Sequence, residues 1–189
     1  MIIEDGTGHG FTARVDSENR IHTEAVTTTL EHHTNQNEGL SFNALFAVNP
    51  DGADDCIFYL KNNNEIDLII EGVWWNTSAA EEVYYKLGDA GTAVKTNGAD
   101  ITPSNLNAGS GKIADVICYS NTADGAVDIT GLSGGTTIQK IWLVAAETTL
   151  YINCEQDIIL PKNQTFSIYC VGGDSLLRGT VVFHFHGVD

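Results

Sequence analysis

The stretch Glu65-Ile-Asp-Leu-Ile-Ile-Glu-Gly-Val-Trp-Trp-Asn76 decides the fold class. Its β-branched and aromatic residues favour strand, and no apolar 3.6-residue period runs through it. Read as a regular strand, it places Ile66, Leu68, Ile70 and Trp74 on one face. Asp67, Ile69, Glu71, Val73 and Trp75 then share the other, because successive side chains point to opposite sides. With Trp74 in the core, Trp75 faces outward beside Ile69 and Val73. An apolar outer face is usually covered, here by a second sheet layer, an N-terminal arm or another subunit.

Strand signals flank this segment on both sides. Leu40 to Val48 alternates and stops at Asn49-Pro50-Asp51-Gly52, a strong turn. Cys56 to Lys61 follows, closed by Asn62-Asn63-Asn64. Glu81 to Leu87 puts Val83, Tyr85 and Leu87 together. Ile113 to Tyr119, Ile138 to Ala146, Leu150 to Cys154, Phe166 to Val171 and Thr180 to His186 complete the set, with a short strand from Asp157 ahead of Pro161. The Gly-, Asn- and Ser-rich stretches from Gly88 to Gly111 and from Asn121 to Gly135 read as loops. About eight or nine strands with turns between them predict an all-β fold, an antiparallel β-sandwich of the jelly-roll type.

Composition narrows the function. The 189 residues carry 9 Lys+Arg against 25 Asp+Glu, a net charge of -16. Such a chain repels nucleic-acid phosphate and anionic lipid, so neither is an expected partner. Hydrophobic residues make up 42% and charged residues 18%, which excludes a disordered acidic tail. No apolar run reaches the length of a membrane span, and the first residues lack the basic and apolar regions of a secretory signal. Asn76-Thr-Ser78 and Asn163-Gln-Thr165 are therefore read as chance matches to the glycosylation pattern. The cysteines at 56, 118, 154 and 170 form no Cys-x-x-Cys and sit among apolar residues, so they are expected as buried free thiols.

Residues 1–39 differ from the rest. Phe11 to Val15 and Arg20 to Val26 read as short strands around the turn cluster Asp16–Asn19, followed by an extended linker to Gly39. This segment has no core of its own and needs a surface to lie on. The expected organisation is an N-terminal arm, 1–39, and a sandwich, 40–189.

Several constellations bear on chemistry. His184 and His186 in Val-Val-Phe-His-Phe-His-Gly point to one side of a strand about 7 Å apart, while Phe183 and Phe185 enter the core. That pair is a weak metal candidate and resembles the His-x-His of cupin metal enzymes. The Glu and the further His that cupins place downstream are missing from the three residues after His186. A subunit-interface role fits the pair as well. His32 and His33 diverge in extended chain and are poor co-ligands. Gly109-Ser-Gly-Lys112 fails as a phosphate loop, since Leu106 stands where its first glycine belongs and Ile113 where Ser or Thr should follow. Asp51, Asp54 and Asp55 share a turn without EF-hand spacing and read as solvated acids. No Gly-x-Ser-x-Gly elbow is present, and the pair Glu81-Glu82 argues nothing among 25 acids.

The run Asp5-Gly6-Thr7-Gly8-His9-Gly10-Phe11-Thr12-Ala13-Arg14-Val15-Asp16-Ser17-Glu18-Asn19-Arg20-Ile21-His22 resembles the openings of tailed-phage virion proteins of the head decoration, cement and head-fibre type. The resemblance covers residues 5–22 and carries no catalytic role. It implies a non-enzymatic protein without cofactor, made in the host cytoplasm and fixed on the outer capsid surface. Its arm would bind the major capsid protein, and the molecule would be a homo-oligomer, often a trimer. Arg14 and Arg20, two of the three arginines in the chain, lie in the arm, and paired short strands suit β-addition to a partner. Phe11, Arg14, Val15, Arg20 and Ile21 are the expected docking residues. Trp75, His184 and His186 are the expected subunit contacts. Two other readings stand beside this one. One is a lectin-like fibre or receptor-binding module using exposed Trp75, Tyr84 and the Gly/Asn-rich loops. The other is the cupin-like metal enzyme through His184 and His186.

Overall fold

The computed structural model describes residues 14–15, 21–22, 34–50, 54–96, 98–121, 129–144, 149–173 and 176–186. Among them the strands are β1 (Arg14–Val15), β2 (Ile21–His22), β3 (Ser41–Val48), β4 (Asp55–Asn62), β5 (Leu68–Thr77), β6 (Glu81–Lys95) and β7 (Ala99–Asp100). The remainder are β8 (Ser104–Asn105), β9 (Val116–Ser120), β10 (Ile129–Leu143), β11 (Leu150–Leu160), β12 (Thr165–Cys170) and β13 (Leu177–Phe185). A single π-helical turn, Thr34–Glu38, precedes β3.

Two antiparallel sheets pack face to face as a β-sandwich. The six-stranded sheet runs β10-β6-β12-β4-β9-β7 and the five-stranded sheet β11-β5-β13-β3-β8. The chain crosses from one sheet to the other at nearly every connection, and the first strand of the sandwich, β3, pairs with the last, β13. Phe42, Ala44, Phe46 and Val48 of β3 point into the core, as do Phe183 and Phe185 of β13 and Phe58 and Leu60 of β4. Each of the Phe, Val and Leu side chains among them contributes about 1.5–3 kcal/mol when fully buried. A run of aromatic pairs knits the layers: Phe46 meets Phe58 at 5.1 Å and Trp75 edge-on at 5.5 Å.

The outer faces differ. β6 and β10 are both longer than their apolar cores suggest, and their far halves pair from Asp89↔Gly134 to Lys95↔Ile129. Ala93, Ile129 and Leu132 of this ribbon pack on Cys56, Tyr59, Tyr84 and Tyr169, which face outward from the six-stranded sheet. Both faces of β4 and β12 are thereby covered. That is why β4 reads as an unbroken apolar run and every residue of β12 is buried. Among the described residues nothing covers β3 of the five-stranded sheet in this way: its burial alternates toward the far end, and Leu45 and Ala47 are exposed.

The expected loops from Gly88 and up to Gly135 are therefore corrected in part, since much of both is strand. Glycines at 88, 91, 131, 134 and 135 take positive φ, and the register shifts twice along the pair. The glycines that suggested loops are what bend this ribbon. Leu150 to Cys154 and the short strand after Asp157 merge into β11.

Candidate functional site

The tandem Trp74-Trp75 is corrected first. Trp75 is 1% exposed and belongs to the core, while Trp74 is 45% exposed on the outer face. The inversion has a local cause. Val182 pairs with Gly72 and Phe183 with Ile70, so Glu71 is an extra residue, a β-bulge. Leu68 and Ile70 face inward before the bulge and Val73 and Trp75 after it, a change of phase that regular alternation misses.

The bulge is held from the far end of the chain. Glu71 Oε1 lies 2.8 Å from His184 Nδ1, and the His184 side chain is 1% exposed. His184 is thus buried against β5 and offers no surface to another subunit, contrary to the expected contact. Its Nε2 has no hydrogen-bond partner among the described residues. His186 lies beyond the end of β13, exposed, with its backbone N–H donating to the Asp67 carbonyl at 2.9 Å. The two imidazoles occupy different surroundings and do not converge on a common position. Among the described residues no group of three or more His, Cys, Asp or Glu is placed to hold a metal.

Beyond the bulge, a groove of about 520 Å³ opens on the outer face of the five-stranded sheet. Leu45, Thr180 and Trp74 form one cross-strand row, with Tyr151 of β11 opposite Trp74. Ala47, Arg178 and Asn76 form the next row. The Trp74 and Tyr151 rings are 4.5 Å apart. Tyr151 lies across Gly72, where any Cβ would meet its hydroxyl and, at 2.6 Å, the Ile152 carbonyl. Its hydroxyl donates to the Glu71 carbonyl at 3.4 Å. Arg178 donates from Nη1 to Asn76 Oδ1 at 3.3 Å. Among the described residues Arg178 is the only charged one lining the groove.

On the opposite sheet, burial pushes the Tyr84 and Tyr169 hydroxyls and the Cys56 thiol well above their ordinary ranges, with carboxylates nearby adding to the effect. Tyr84 is 6% exposed, stacks on Tyr169 at 5.3 Å and donates to Asp54 Oδ1 at 2.8 Å. It is a structural residue here and not the exposed aromatic expected of a lectin surface. Asp55 accepts from Asn121 at 2.7 Å. All four cysteines are free and buried, as expected.

The remaining expectations fall as follows. Arg14 pairs with His22 and Val15 with Ile21, an antiparallel pair within the two short strands expected there. Only the backbone of these residues is described, and Phe11, Arg20, His32, His33 and Asp51 lie outside the described residues. The loop around Gly109-Ser-Gly-Lys112 is a clamp. Asn107 Nδ2 donates to the Asn35 carbonyl and Asn105 Nδ2 to the Gly39 carbonyl, at 2.9 and 2.7 Å, tying residues 34–40 to the sandwich.

No protein-family model, curated protein or solved structure matches this chain.

Regular alternation hides the groove in the sequence because it places Trp74 inward. The available signal was Gly72, an isolated glycine in a strand pattern, which marks a bulge.

Proposed function

We propose that this chain is a non-enzymatic virion protein of a tailed phage, a capsid decoration or cement protein that docks on the major capsid protein through its N-terminal arm. The observation that carries the reading is the β1–β2 pair, which forms a two-stranded sheet of its own outside both layers of the sandwich. A two-stranded pair that joins neither sheet of the sandwich has backbone edges to offer a partner. The strand order supports the same reading. β3-β13-β5-β11 faces β4-β12-β6-β10, the order that interlocked Greek keys of a jelly roll produce, with β7 to β9 as an insertion.

The mechanism is burial of surface between shell subunits, at roughly 800 Å² per partner and multiplied by capsid symmetry. The molecule acts as a homo-oligomer, a trimer. Co-sedimentation with assembled capsid shells tests this, using the full chain, a chain lacking residues 1–33, and the arm variants Arg14→Glu and Arg20→Glu. Saturable binding by the full chain, lost in all three variants, is expected. Shells that pellet without the full-length protein would refute it.

The second reading is a lectin-like module on the virion. Trp75 and Tyr84 no longer serve it, because both are buried. The half-exposed Trp74 against Tyr151 favours it on different residues.

A further inference from the structure

We propose that the groove on the five-stranded sheet is a binding site for a carbohydrate carrying a carboxylate, a uronic- or sialic-acid type of sugar. The proposal deepens the lectin-like reading and rests on it for the ligand class.

The first argument is the platform. A pyranose ring presents a face of C–H groups that packs on the electron-rich face of an indole. Trp74 presents such a face at 45% exposure, and the side chain is braced: Tyr151 packs against it at 4.5 Å with the ring planes tilted by 34°, and is itself held over Gly72 and the Glu71 carbonyl. A braced aromatic loses little conformational freedom on binding. Leu45 and Ala47 extend the apolar floor, and the volume of about 520 Å³ falls within the range of small-ligand sites.

The second argument is the polar edge. Asn76, Thr149, Arg178 and Thr180 line the groove beside the indole. The Arg178–Asn76 bond uses one guanidinium N–H and the amide oxygen, which leaves the remaining guanidinium N–H groups and the Asn76 amide N–H₂ to donate to ligand oxygens. Apolar platform and clustered donors together match the two sides of a sugar.

The third argument is charge. Among the described residues Arg178 is the only charged one lining the groove, and no carboxylate among them forms an ion pair with it. That is unusual on a chain with 25 acids and 9 Lys+Arg. A planar guanidinium without a carboxylate is matched by one from the ligand in a two-point bond.

The test is titration calorimetry on the full chain with glucuronic acid, N-acetylneuraminic acid, glucose and acetate. The acidic sugars are expected to bind at least about tenfold more tightly than glucose, and acetate alone not at all. Trp74→Leu should abolish binding of every sugar. Arg178→Gln should bring the acidic sugars down to the level of glucose. Both positions are exposed, and circular dichroism with urea midpoints verifies that the variants fold. No binding of any sugar by the unaltered chain overturns the proposal and the lectin-like reading together. Sugar binding that survives both substitutions overturns the groove alone and leaves a lectin site elsewhere. Light scattering in which Trp74→Lys dissociates a native oligomer overturns it too, by showing that a second copy covers the shelf.

Discussion

The indole N–H of Trp75 donates to the hydroxyl of Tyr85 at 2.8 Å, joining β5 of one sheet to β6 of the other across the core. The rings stack at 6.5 Å with planes 17° apart, and both residues are at most 1% exposed. A buried N–H must find an acceptor, and in this core the phenol supplies it. Tyr85→Phe keeps the ring and removes the acceptor. It is expected to cost about 1–3 kcal/mol in urea unfolding. Trp75→Ala should cost about 3–5 kcal/mol, since it also leaves a cavity. A negligible loss in Tyr85→Phe would show that the bond adds nothing to stability beyond the packing of the two rings.

The Glu71–His184 pair supports a separate prediction. Glu71→Ala leaves a buried imidazole with neither nitrogen bonded to a described residue, since Nε2 has no partner among them. Thermal unfolding should register a loss of about 1–3 kcal/mol. Glu71→Gln retains an oxygen at the same place and should recover most of it. A Gln variant as unstable as the Ala variant would assign the effect to the bulge backbone and not to the side-chain bond.

Gly91 supplies a third. Its φ is +94°, and a Cβ there would strike the carbonyl of Gly131 across the ribbon. Gly91→Ala is expected to destabilise the fold by about 1–3 kcal/mol, because strain and collision act together. The ribbon covers Cys56, so labelling of that thiol should accelerate in the variant. Unchanged labelling would mean that the ribbon holds its cover despite the strain.

Alkaline pH should weaken the protein. Burial first, and the Glu81 carboxylate second, push the Cys170 thiol up from 9.0 to about 12. Burial pushes the Tyr59 hydroxyl from 10.0 to about 12. Cys56 and Cys118 move the same way, again through burial. The folded state therefore holds these protons where the unfolded chain has released them. Stability from these groups is whole below pH 9 and is lost progressively as pH rises toward about 12. Urea midpoints should be level from pH 7 to 8.5 and fall above about pH 9, and native thiols should resist labelling at pH 8. A level midpoint through pH 11 would contradict the burial of these groups.

The class of fold, the place of most strands and the state of the cysteines were determined by the sequence alone. Those features rest on local chemistry: alternating apolar residues, Asn-Pro-Asp-Gly turns and thiols set in apolar runs. Tertiary structure decided which tryptophan faces out. The Glu71 bulge is fixed by a histidine 113 residues away, and a single extra residue reverses the face of everything after it. Tertiary structure likewise turned the glycine-rich ends of β6 and β10 into strands. Each segment alone is too weak to hold a conformation, and only their mutual pairing over the tyrosines of the six-stranded sheet makes them regular. The groove exists for the same reason, since Leu45, Trp74, Tyr151 and Arg178 meet only when strands distant in sequence are laid side by side.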